Sequence, residues 1–76
     1  MLKDVEYISN RIDEIYRGVF ENIVYRTEIH EKTYTLHIHI EGYKRTWSFS
    51  YELDKNIPSL AAIINKIKED INNRPR

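Results

Sequence analysis

From Thr33 to Leu53 apolar and polar residues alternate with period two. Tyr34, Leu36, Ile38, Ile40, Trp47, Phe49, Tyr51 and Leu53 fall on one face, and Thr35, His37, His39, Ser48, Ser50 and Glu52 on the other. Side chains of an extended chain point alternately to opposite sides, so this pattern predicts two half-buried strands joined by the loop Gly42 to Arg45. The first face is expected to be core and the second to meet water or a partner. Upstream, residues 23–30 alternate less regularly, with Ile23, Tyr25, Thr27 and Ile29 set against Val24, Arg26, Glu28 and His30. A two-residue turn at Glu31-Lys32 places His30 opposite Thr33, Glu28 opposite Thr35, Arg26 opposite His37 and Val24 opposite His39. Every pair then keeps its face. The Gly42–Arg45 loop sets His39 opposite Ser48 and His37 opposite Ser50, which completes a three-stranded antiparallel meander.

Outside the meander the period changes. Met1, Val5, Ile8, Ile12, Ile15 and Val19 recur at steps of three and four, which predicts an amphipathic opening helix with Gly18 at its end. Leu60, Ile63, Ile64, Ile67 and Ile71 repeat the stripe, with Asn56 as the expected cap, Pro58 in the first turn and Asn72, Asn73 and Pro75 as the stop. The expected fold class is therefore α+β: helix, three-stranded antiparallel meander, helix (αβββα). Both helices should pack on one face of the sheet, because neither has another apolar surface to cover. Tyr7, Tyr16, Tyr25, Tyr34 and Tyr43 lie nine residues apart, but their neighbours do not recur, so no repeat is inferred.

Seventy-six residues fit one small domain, residues 1–76, with 73–76 as a short C-terminal tail. A domain of that size buries only about 60% of its unfolded surface. The chain has no cysteine, which excludes disulfides and thiolate metal sites and suits a reducing cytoplasm. Twelve basic and twelve acidic residues cancel and are interspersed, which argues against a domain-wide grip on nucleic acid or anionic lipid. No apolar run approaches the roughly 18 residues of a membrane span, and Met-Leu-Lys-Asp-Val-Glu lacks the layout of a signal peptide. A cytoplasmic protein without a membrane partner is expected. The abundance of Ile, Lys, Asn, Glu and Tyr matches an AT-rich bacterial or phage genome.

Chemistry is sparse. His37 and His39 project from the same face with Cα atoms about 6.5–7 Å apart, a spacing that metal sites use. Their predicted neighbours are Arg26, Val24, Ser48 and Ser50, however, and an arginine repels a metal, so neither metal nor cofactor is expected. Protonation of His30, His37 and His39 on mild acidification would add charge to one surface. Glu28 and Glu52 flank Thr35 as a conceivable acid/base pair, but an open sheet offers no pocket to tune them. No Ser-His-Asp arrangement is legible, and Gly18 and Gly42 form no phosphate-cradling loop. Trp47, Phe49 and Tyr51 alternate in phase with the core, which favours packing over base stacking. Tyr43, Lys44 and Arg45 place an aromatic ring beside two cations in a loop, a plausible contact for phosphate or an acidic partner.

The third strand carries no charge, proline or bulge signal from Thr46 to Tyr51, so it is expected to pair edge to edge in a homodimer or to accept a partner's strand. In order of elements the chain resembles double-stranded-RNA-binding domains and the small HicA-type toxin fold. The first carry a basic cluster where this chain has Ile57-Pro58-Ser59-Leu60-Ala61-Ala62. The second carry a glycine-serine-histidine setting that surrounds none of His30, His37 or His39. The likeness implies topology and assigns no family. The expected function is a small non-enzymatic protein-interaction module, a regulator or inhibitor of a phage or mobile element that binds a host protein. Its expected contacts are Arg26, Thr35, His37, His39, Ser48 and Ser50, with Tyr43, Lys44 and Arg45 at the rim. The alternative is RNA or DNA binding through Lys44, Arg45, Lys66, Lys68 and Arg74-Pro75-Arg76.

Overall fold

The computed structural model describes residues 2–53 and 59–75. The elements run α1 (Leu2–Ile15), β1 (Asn22–His30), β2 (Thr33–Glu41), β3 (Thr46–Glu52) and α2 (Leu60–Asn72). The strands form one antiparallel sheet in the order β1-β2-β3, the meander expected from the alternation. Its register is the expected one at every named pair, from His30 opposite Thr33 to Val24 opposite His39 and from His39 opposite Ser48 to His37 opposite Ser50.

Both helices cover one face. Ile8, Ile12 and Tyr16 from the first helical region, Ile64, Ile67 and Ile71 from α2, and Tyr34, Leu36, Ile38, Ile40, Tyr51 and Leu53 from the sheet form one buried cluster. Each fully enclosed isoleucine contributes about 1.5–3 kcal/mol relative to leaving it in water. Polar tips of tyrosines then tie the layers together. The Tyr25 hydroxyl of β1 donates to Asp13 Oδ1 of α1 at 2.8 Å, and the Tyr51 hydroxyl of β3 donates to Asp70 Oδ2 of α2 at 2.8 Å. The helices thus sit side by side, α1 toward β1 and α2 toward β3. They are joined where the Tyr16 hydroxyl donates to Asn72 Oδ1 at 3.0 Å.

The first helix ends earlier than its stripe suggests. Tyr16 N still donates to Ile12 O, but Val19 N donates to Tyr16 O in a tighter turn, and Gly18 takes a φ of +78° that L side chains disfavour. That turn throws Val19 outward, leaving it 59% exposed rather than in the helical stripe, and brings Phe20 back against the core in its place. At α2 the cap is Ser59, whose hydroxyl accepts from Ala62 N at 3.1 Å. The expected cap Asn56 and the first-turn Pro58 lie outside the described residues, as do Met1 and Arg76. The helix ends at Asn73, which takes the C-cap position, and Arg74 Nη1 donates to Ile71 O at 2.8 Å beyond it. No helix among the described residues is long and apolar enough to cross a membrane.

Candidate functional site

The open face of the sheet holds Arg26, Thr35, His37, His39, Ser48 and Ser50, as their parity requires. Hydrogen bonds order it into rows across the strands. His39 Nδ1 lies 2.8 Å from Ser48 Oγ, and His37 Nδ1 lies 2.8 Å from Ser50 Oγ. His37 Nε2 reaches diagonally to Glu28 Oε2 at 3.2 Å. A carboxylate only accepts, so on a neutral ring the Nε2 proton donates to Glu28 and the Ser50 hydroxyl donates to Nδ1. Arg26 and Thr35 flank this row, Arg26 directly opposite His37 and Thr35 between Glu28 and Glu52 in register.

The Glu28–His37–Ser50 row is a correction to the sequence reading, which found no such arrangement. Diagonal neighbours two residues apart in register meet only when rotamers bring them together, and no linear spacing encodes that. Its order of groups is that of a serine relay. It lies on an open face, and neither of the two cavities described below includes its residues. Of the Glu28/Glu52 pair, the Glu28 carboxylate is the one in contact with His37. Among the described residues no three His, Cys, Asp or Glu side chains converge as a metal site.

The phase of the ladder decides which backbone groups face outward. Gly42 N donates to Arg45 O at 2.8 Å and Leu53 N to Tyr34 O at 2.7 Å. Those two bonds place Trp47, Phe49 and Tyr51 in the hydrogen-bonded pairs with β2. The N–H and C=O groups of Thr46, Ser48, Ser50 and Glu52 therefore point away from β2, along an edge that no strand among the described residues covers. The pairing with β2 is continuous, without a bulge, and Thr46–Tyr51 contains neither a charge nor a proline. The opposite edge, β1, carries Arg26, Glu28 and His30, which discourage pairing.

The rim residues separate from this face. Tyr43 is 85% exposed at the tip of the second hairpin. Lys44 and Arg45 line a shallow cavity of about 480 Å³ together with Trp47 and Arg74. A narrower groove of about 130 Å³ runs between the helices past Tyr7, Arg11 and Lys68. The basic residues of the alternative reading are thus split. Lys66 is bridged to Asp70 at 3.2 Å and Lys68 lies in the helical groove, whereas Arg74 joins the hairpin. The convergence of Arg74 with Lys44 and Arg45 was missed as a specific site, because about thirty residues separate them and only the fold closes the gap.

Three tyrosine hydroxyls are held in their neutral form. Burial, then the hydrogen bond and charge of Asp13, push Tyr25 far above the usual tyrosine range. Burial and Asp70 do the same to Tyr51. Burial raises Tyr16 against the lowering influence of Arg74. These groups brace the fold and face inward, away from the open sheet. Compared with known proteins, the chain matches no family model, no curated protein and no solved structure.

Proposed function

We propose that this chain is a small non-enzymatic protein-interaction module that receives an extended segment of a protein partner along β3. The observation that carries the reading is the edge of that strand, which no strand among the described residues covers, where the backbone groups of Thr46, Ser48, Ser50 and Glu52 are aligned for another strand and no edge-blocking residue stands among Thr46–Tyr51. Main-chain pairing supplies affinity, and side chains on the adjoining face supply choice. The His37–Ser50 and His39–Ser48 rows, with Arg26 and Thr35 beyond them, would read alternate side chains of the added strand. A module of this kind regulates or inhibits by occupying its partner. A second copy of the chain is the competing occupant, giving a homodimer through residues 46–51.

Proline at position 48 or 50 tests this directly. Each removes an outward N–H while leaving the β2 ladder whole, so the fold should persist while the edge loses its donors. Partner captured by the wild-type protein should be lost by Ser48→Pro and Ser50→Pro, and hydrogen exchange of the captured complex should show new protection across Thr46–Glu52. Replacing His37 and His39 together by Ala should weaken binding without unfolding the protein. Capture unaffected by both proline variants would refute the edge, and capture unaffected by the double alanine would remove the open face. Light scattering that shows a dimer in the wild type and a monomer in Ser50→Pro would assign the edge to a second copy.

A further inference from the structure

At the end of the sheet opposite the first hairpin, the structure assembles a cationic cleft that the interaction edge does not use. Gly42 lies under the Trp47 indole so closely that an added Cβ would stand 2.8 Å from a ring carbon. Phe20 meets the same indole edge-on, with ring centroids 6.1 Å apart. The Arg74 guanidinium is seated against both rings, 4.9 Å from each centroid, and Nη1 is anchored on Ile71 O. Trp47 Nε1 in turn donates to Pro75 O at 2.8 Å, which holds the chain after α2 against the hairpin. Lys44 and Arg45 complete the lining of the 480 Å³ cleft, and no carboxylate among the described residues lines it.

We propose that this cleft binds a backbone phosphate of a single-stranded nucleic acid, with Tyr43 stacking on a neighbouring base. Three cations around one hollow in a chain of zero net charge concentrate positive potential at a single place. Arg74 is already ordered by its two rings, so engaging an anion immobilises little further side-chain freedom. Nη1 is committed to Ile71 O and Nε is buried, so the remaining guanidinium N–H groups are the ones that meet a phosphate oxygen, with charge-assisted hydrogen bonds. The indole is occupied by Arg74, Phe20 and Gly42, which leaves Tyr43 as the free ring of this end. An exposed aromatic beside a phosphate site suits an unstacked base, which a single strand presents and a duplex does not. The cleft is shallow and open, a shape suited to a passing strand rather than to an enclosed small molecule.

Trp47 is the chain's one tryptophan, so its fluorescence reports occupancy of the cleft itself. The full chain is titrated with a ten-nucleotide oligothymidylate at rising salt. Saturable quenching is expected, with log K falling against log salt with a slope of about −0.7 for the one phosphate in the cleft. Lys44→Ala combined with Arg45→Ala, both on an exposed loop, should weaken binding at least about tenfold and flatten the slope toward zero. Tyr43→Ala should weaken binding about tenfold with the slope unchanged. Lys66→Ala, already bridged to Asp70, should change nothing. Absence of saturable quenching at low salt, or quenching indifferent to the Lys44/Arg45 change, would overturn the site. Equal affinity for inorganic phosphate or thymidine monophosphate would overturn the strand as its occupant. Equal binding of a polyglutamate peptide would do so in favour of an acidic protein.

Discussion

Removing one hydroxyl, by Tyr51→Phe, tests how the second helix is fastened to the sheet. The ring of Tyr51 is only 8% exposed and its hydroxyl donates to Asp70 at 2.8 Å, while Asp70 keeps Lys66 at 3.2 Å when the hydroxyl is gone. Loss of a buried hydrogen bond to a charged acceptor, with the acceptor left partly satisfied, should cost about 1–2 kcal/mol near pH 8. The pH dependence is the sharper signature. Burial first, and Asp70 second, hold the Tyr51 hydroxyl protonated well above the usual range in the folded state, whereas the unfolded chain ionises it near pH 10. A raised folded pKa gives stability that is fully present below about pH 10 and is lost as pH climbs toward the folded value. Wild type should therefore lose about 1.4 kcal/mol per pH unit above 10 through this residue, and the Tyr51→Phe variant loses none of it. Every other titrating group is common to the two proteins, so the difference isolates residue 51. Urea unfolding followed by far-UV circular dichroism at pH 8, 10 and 11 measures it. The stability gap should narrow above pH 10 and close near pH 11. A gap that stays constant from pH 8 to 11 would refute the argument that the folded state excludes the tyrosinate.

Gly42→Ala places a methyl group 2.8 Å from a Trp47 ring carbon and 3.2 Å from Arg45 O, so it should destabilise by about 1–3 kcal/mol in urea titration. Glu31 sits at φ +56° in the first hairpin, so Glu31→Asn should raise stability by about 0.5–1 kcal/mol and Glu31→Val should lower it, read from the same urea midpoints.

The elements, the strand register and the face of the sheet that joins the core were legible because each rests on local geometry. Period two marks a strand and steps of three and four mark a helix whatever surrounds them. The turn at Glu31-Lys32 and the loop Gly42–Arg45 together leave one register in which Arg26, His37 and Ser50 share a face, and the sheet adopts it. The nine-residue tyrosine series was equally visible and equally local. Its members land at a helical groove, a helix end, a hydroxyl anchor on β1, the buried core and a loop tip, so they mark no structural repeat.

Tertiary structure alone decided the rest, wherever the deciding contact was distant in sequence or depended on a rotamer. Val19 left its stripe because Gly18 turned left-handed and Phe20 took the place beside the core. Asp13 and Asp70 read as solvated helix charges until Tyr25 and Tyr51 reached them from the sheet. Glu28, His37 and Ser50 became one row through a diagonal contact, and Arg74 met Lys44 and Arg45 only when α2 laid the end of the chain across Trp47. Periodicity specifies which face a residue occupies; what that residue touches across the face is set by the packing of elements that the chain brings together from far apart.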